Sequence, residues 1–284
     1  MLSFGIMQGR LTPANGRGIQ FFPFENWENE FMDCARIGLD EIEWIFDYER
    51  YEENPLWTEE GCAKLNEVIQ RTGVSVRSVC FDYFMRRPFF KYREDKQLVL
   101  DENRKVFKTV VDHMKLLGAD LIEIPLVDDS AIKNERESIM AVELIREFAD
   151  YAGDKSIRVG LETDLPPGKF RSFIEAVSRT NVCANYDSGN SSGVGYDPIE
   201  EILSLSSLIA NVHMKDRKFH GTTVALGHGD ADFDKVFSAL KTVGYCRSLI
   251  LQAARSSDRS EEDNIREQIA FIKKYCERYH VGEL

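Results

Sequence analysis

Four polar side chains stand where apolar runs end. Glu162 closes VGLE, Asp187 closes CANYD, His213 sits in NVHMKD and Gln252 closes LILQ. A parallel strand covered by helices is expected to be almost wholly apolar, because a carboxylate or amide taken out of water costs free energy unless it is paired. Two carboxylates, an imidazole and an amide oxygen form an N/O donor set suited to one divalent metal ion, Mn²⁺, Zn²⁺, Mg²⁺ or Co²⁺. Any one of the four could equally be a hydrogen-bonded strand terminus. Four strands in succession ending this way call for a shared ligand, since unpaired buried charge is expensive.

Residues so scattered must be gathered by a sheet. Short β-rich runs alternate with longer helical patterns eight times, the order of parallel strands joined by crossover helices. Strands are predicted at 4–8, 41–46, 74–80, 121–125, 158–162, 182–187, 209–215 and 248–252. Helices are predicted near 27–37, 58–72, 98–117, 135–152, 169–179, 198–205, 232–243 and 260–279, several with apolar residues at i, i+3, i+4. Gly38, Gly73, Gly118 and Gly244 each follow a helical pattern and precede a strand, where a left-handed C-cap is needed. The expected fold is an α/β (β/α)8 TIM barrel spanning 1–284 as a single domain, with no linker or low-complexity tract to divide it. In such barrels the C-terminal strand ends build the active site, so the four polar residues should converge.

Composition narrows the partners. The 284-residue chain carries a formal charge of −12, which disfavours a protein that tracks nucleic-acid backbone through clustered Lys and Arg. A small anion remains compatible, because distant charge is screened beyond about 8–10 Å. Six cysteines (Cys34, Cys62, Cys80, Cys183, Cys246, Cys276) are scattered, form no CxxC pair and read as free thiols. The opening MLSFGIMQGR lacks a basic segment followed by a long apolar run, and no stretch approaches the ~20 apolar residues of a membrane span. The chain is therefore expected in the cytoplasm, without membrane or nucleic-acid partners.

At these residues the sequence resembles the xylose isomerase-like TIM-barrel superfamily of sugar isomerases and epimerases, which also contains endonuclease IV. The resemblance covers nearly the whole chain and rests on the Glu of GLETD, the Asp of NYDSGN, the His of VHMKD and the glycine loop ALGHGDADF. GIMQGRL further resembles a subgroup described as sugar phosphate isomerase/epimerase. The resemblance implies Glu162, Asp187 and His213 as metal ligands. Its fourth ligand is usually Glu, and here Gln252 stands in that place. An amide oxygen can coordinate but brings no charge and accepts no proton at neutral pH.

That departure bears on the reaction. In the sugar 3-epimerases two metal-bound glutamates are understood to act from opposite faces of one carbon, and only Glu162 of that pair is kept. An aldose–ketose isomerase can pass a proton between adjacent carbons on one face of an enediolate, so isomerisation of a sugar or sugar phosphate is the expected activity, with Glu162 and Gln252 at the reacting centre. A 3-epimerase or a dehydratase on the same barrel is the alternative. A non-catalytic sugar-binding barrel is a third reading. Abasic-site cleavage ranks last, because the chain has only His113, His213, His220, His228 and His280, and Asn190 stands near where the endonuclease pattern continues with His.

Other expected substrate contacts are less specific. Lys215 projects to the same side as His213 in strand alternation, while Arg217 and Arg255 follow strand ends and could meet a phosphate. His228 lies between two glycines, and Glu43 and Glu123 are acids inside strand patterns that could supply a second base or pair with a buried cation. Gly227 and Gly229 lack a following dinucleotide-binding unit, so no NAD is inferred. Two long aromatic loops, GRLTPANGRGIQFFPFE and FDYFMRRPFFKYRE, are expected as lids or as contacts of a homo-oligomer.

Overall fold

Eight parallel strands close into a barrel. In the computed structural model, which describes residues 2–91 and 97–282, the barrel strands are β1 (Ser3–Met7), β2 (Glu41–Ile45), β3 (Ser78–Cys80), β4 (Leu121–Leu126), β5 (Arg158–Thr163), β6 (Val182–Asp187) and β7 (Ile209–Met214). A small antiparallel pair, β8 (Asp216–Arg217) and β9 (Thr223–Val224), precedes the eighth barrel strand, β10 (Ser248–Leu251). The ring runs β1, β2, β3, β4, β5, β6, β7, β10 and returns to β1 through the pairs Ser3–Ser248 to Ile6–Leu251. All eight predicted strands are present, the third shortened, with Ser75 joining Glu41 by a lone bridge.

The helices are α1 (Trp27–Ile37), α2 (Glu59–Thr72), α3 (Tyr83–Arg86), α4 (Gln97–Leu117), α5 (Glu135–Asp154), α6 (Pro167–Val177), α7 (Ser188–Val194), α8 (Pro198–Leu205), α9 (Phe233–Thr242) and α10 (Glu261–Tyr279). Their starts follow the usual chemistry: Thr58, Asn134, Asp197, Asp232 and Ser260 each accept a backbone N–H in the first turn. All four anticipated glycines have φ between 69° and 84° after their helices. No helix among the described residues is long and apolar enough to cross a membrane. The six cysteines are free, and all but Cys246 are buried.

The aromatic segment after β3 is built into the core. Phe81, Tyr83, Phe84, Phe89 and Phe90 are all at most 1 % exposed. Phe81 stacks on Phe46, and Phe84 stacks on Phe148 of α5. These five rings are therefore available neither to a lid nor to a partner, because burial against α4 and α5 outweighs display at the mouth. Residues 92–94 of that segment lie outside the described residues. The loop after β1 is held by Glu30 of α1, whose carboxylate accepts from Gly9 N, Leu11 N and the Thr12 hydroxyl. Burial nevertheless pushes the Glu30 carboxyl up to about 7. Inside the barrel, Glu41, Glu43 and Glu123 are fully buried, and desolvation raises the Glu41 carboxyl above its ordinary range.

Candidate active site

Three of the polar strand ends meet. Glu162, Asp187 and His213 offer ligand atoms all within 4.8 Å of one another, and each side chain is buried. Sheet register brings this about: Asp187 lies directly beside His213 on the neighbouring strand, and Glu162 ends the strand on the other side of β6.

Each member is oriented by its surroundings. Asp187 Oδ1 caps α7 by accepting from Gly189 N at 2.8 Å and Asn190 N at 2.7 Å. Its Oδ2 is thereby turned toward His213 Nδ1 at 3.8 Å and Lys215 Nζ at 3.4 Å. Glu162 accepts from Asn185 Nδ2 at 2.6 Å and from the Asn190 amide, with Oε2 3.2 Å from His213 Nδ1. The imidazole is gripped from behind, where Nε2 lies 2.6 Å from Glu43 Oε1. Glu43 Oε2 in turn accepts from Ser78 and from Asn211. A cation taken at Nδ1 would need the imidazole hydrogen on Nε2, shared with Glu43, the arrangement by which an outer carboxylate fixes a ligating histidine. Burial opposes an imidazolium here, but Glu43 and Glu162 outweigh it and raise the His213 pKa well above its ordinary value.

Gln252 lines the same cavity, which measures about 320 Å³. Its Nε2 donates to Gln20 Oε1 at 3.0 Å, while its buried Oε1 has no hydrogen-bond partner. An orphaned oxygen lining the same cavity as Glu162 and His213 adds to a donor set that a hard or borderline divalent cation fits. Glu123 also lines the cavity, and neither of its oxygens has a hydrogen-bond partner. Desolvation, followed by the nearby charge of Glu162, pushes the Glu123 carboxyl well above the usual range. Among the described residues, neither Glu43 nor Glu123 forms an ion pair with an Arg or Lys.

Lys215 lines the cavity, but four other expected contacts do not: Glu43, which lies behind His213, Arg217, Arg255 and His228. Arg217 turns to Gly221 O and reaches the site only through Asn190 Oδ1 at 3.1 Å. Arg255 is consumed by Gly9 O at 2.7 Å, Thr12 O at 2.8 Å and Glu261, so it ties two loops together instead of facing the cluster. His228 is exposed and lines a separate cavity beside α10, because the glycine loop is drawn away by Asp216. That carboxylate accepts from Gly227 N, Gly229 N and Ala231 N.

Several contributors were not foreseen. Asn185 could have been found, since it lies two residues before Asp187 on the same strand face. Asp82 lies two residues beyond β3, lines the cavity and is raised to about 6 by burial and then by Asp47. Gln20 comes from an irregular loop, and no periodicity points to it.

The model of the xylose isomerase-like TIM barrel matches residues 31–275. Among relatives, L-ribulose-5-phosphate 3-epimerase UlaE of Salmonella paratyphi A is 24 % identical over 243 residues, 80 % of this chain and 82 % of that protein. Among solved structures, D-psicose 3-epimerase with D-tagatose from Clostridium cellulolyticum H10 aligns with a TM-score of 0.74 at 14 % identity over 99 % of this chain and 100 % of that one. A xylose isomerase domain protein from Planctomyces limnophilus aligns at 0.76 with 16 % identity over 98 % and 99 %. With a barrel closed in the same way and a family match across most of its length, the chain belongs to the xylose isomerase-like TIM barrel family.

Proposed function

We propose that the chain is a metal-dependent sugar isomerase that shifts a proton between the carbonyl carbon and the carbon next to it in an unphosphorylated monosaccharide. The observation that carries this reading is the cluster of Glu162, Asp187 and His213, with Glu162, His213 and the residue of the unpartnered oxygen, Gln252, lining one cavity of about 320 Å³. Pockets from about 300 Å³ upward take small molecules. Relatives named as sugar 3-epimerases support carbohydrate chemistry. Those four residues would hold one divalent ion, which when bound supplies polarisation of the substrate carbonyl.

The chain's own groups do the rest. Glu162 is the proton carrier, its carboxylate fixed by Asn185 and Asn190 so that it meets a substrate carbon in one orientation. His213 is kept from rotating by Glu43. Gln252 cannot carry a proton, so transfer on one face of the sugar is the primary reading. A specific observation favours 3-epimerisation as the second reading: Asp82 lines the same cavity, and its carboxyl at about 6 is suited to proton exchange near neutral pH.

Charge argues for a free sugar. Asp47, Asp82, Asp128 and Asp129 line the mouth, against Arg86 and Lys215. Lys215 is already bonded to Asp187 and Asn190. Phosphate in TIM barrels is commonly held by loops after the last two strands and by free backbone N–H groups. Here Asp216 takes the amides of the glycine loop and Arg255 is tied to backbone carbonyls. Hydroxyl groups can donate to the rim carboxylates, whereas a phosphate dianion would be repelled.

The test is proton NMR in D₂O with Mn²⁺ present, across aldoses, ketoses and their phosphates. Deuterium at C1 or C2 of a free sugar is the expected result, and deuterium at C3 selects the epimerase reading. No exchange in any sugar, with cleavage of abasic DNA instead, removes the proposal.

A further inference from the structure

An amide ligand carries an ambiguity that a carboxylate does not. One end of Gln252 can donate an electron pair to a cation, and the other, an NH₂ group, repels it. Something must choose the end that faces the cavity, and the choice is written in a chain of hydrogen bonds crossing from the β1 loop to β3.

The chain begins at two groups whose roles cannot be exchanged. Arg10 is 2 % exposed, donates to Ile19 O and places Nη2 3.3 Å from Gln20 Oε1. Guanidinium nitrogens only donate, and Arg10 remains cationic at neutral pH although burial lowers it to about 10. Asp82 Oδ2 lies 2.6 Å from Gln20 Nε2, and an ionised carboxylate only accepts. Gln20 is thus polarised from both ends, its oxygen toward Arg10 and its nitrogen toward Asp82. The same oxygen receives Gln252 Nε2 at 3.0 Å. Reversing Gln20 would set its NH₂ against the guanidinium and its oxygen against the carboxylate. Reversing Gln252 would bring two amide oxygens together.

We infer that Gln20 is a positioning residue that makes Gln252 an oxygen ligand, so that this site is completed by an oriented neutral amide in place of a fourth carboxylate. The inference rests on the proposed metal site. It explains why Gln252 Oε1 is left without a partner although buried: the nitrogen is committed elsewhere. It also gives the β1 loop a role at the site, since Glu30 and Arg255 hold the stretch of that loop leading to Gln20. The fourth donor, an amide, adds no charge to the ligand set.

Mn²⁺ affinity of the full chain, measured by calorimetry, tests the inference in a double-mutant cycle. Gln20→Met keeps the length and removes both hydrogen-bonding ends. It is expected to weaken Mn²⁺ binding about tenfold, within the range for groups that orient metal ligands. In a Gln252→Ala background the same change is expected to have no effect. Should Gln20→Met fail to fold, Gln20→Asn, one methylene too short to span Asp82 and Gln252, completes the same cycle. The inference is overturned if Gln20→Met binds Mn²⁺ like the parent, or loses the same factor in both backgrounds. A parent protein that binds no divalent ion overturns the metal site itself, and this inference with it.

Discussion

Glu162 and Glu123 are both inward-facing glutamates on adjacent barrel strands, and their surroundings differ. Glu162 receives two asparagine amides and faces an imidazole. Glu123 sits two residues deeper, beside Gly160 in the register, with both oxygens unpartnered. The β5–β7 side of the lumen is furnished with donors: Asn185, Asn190, Lys215 and the N-terminus of α7. The β2–β4 side is packed with aromatic rings outside and acids within. One side offers hydrogen-bond donors to its carboxylates and could hold a cation, whereas burial on the other raises its carboxyl above the ordinary range. The same residue type is thereby given opposite roles.

The largest expected consequence concerns proton transfer. Glu162→Gln should lower deuterium exchange into substrate by about 100-fold or more, the usual loss of a positioned acid–base group. Glu123→Gln, measured alongside, should stay within a few-fold of the parent. Equal losses in the two variants would erase the distinction between the two sides and make Glu123 the next candidate proton carrier.

Stability gives the next effect. His213→Ala leaves Glu43 fully buried without its imidazole partner, so denaturant unfolding without metal should show a loss of about 3–5 kcal/mol. Glu123→Gln removes a carboxyl that has no partner to lose, and stability at pH 8 should rise. Comparable destabilisation by both changes would mean that Glu123 has a structural partner of its own.

The smallest effect is a pH dependence at the boundary of the two sides. Asp82 is raised to about 6 in the folded chain from the ordinary 3.8, so the unfolded chain gives up this proton first as pH rises. Stability from this group is therefore full below about pH 4 and falls until pH passes about 6. Asp82→Asn should match the parent near pH 4 and exceed it at pH 7.5 by roughly 2–3 kcal/mol, read as a shift in the thermal midpoint. A gap independent of pH would show that Asp82 titrates in its ordinary range.

The donor-rich side was legible in the sequence and the aromatic side was not. Glu162, Asp187 and His213 end regular strands, where a polar residue breaks an apolar pattern and the barrel geometry says where it must point. Gln20 and Asp82 belong to loops whose path is set by tertiary contacts, so spacing carries no information about them. The rings of FDYFMRRPFF looked like a lid because they follow a strand end without periodicity, yet Phe81, Phe84 and Phe89 find buried neighbours on α4 or α5. Arg255 and Arg217 were placed correctly beside strand ends, but backbone carbonyls claim their guanidinium groups. Cation chemistry in a sequence does not distinguish a ligand contact from a loop tie.

The acids enclosed by this fold change what folding does to the surrounding solution. Burial raises Glu30 and Glu201 to about 7 and lifts Glu41 and Glu123 above their ordinary range. Each retains proton that the extended chain would release, so near neutrality folding is a proton-uptake reaction. The folded molecule consequently migrates in an electric field as a particle less negative than the formal −12 of its sequence. The heat of its unfolding includes the ionisation heat of whichever buffer receives those protons.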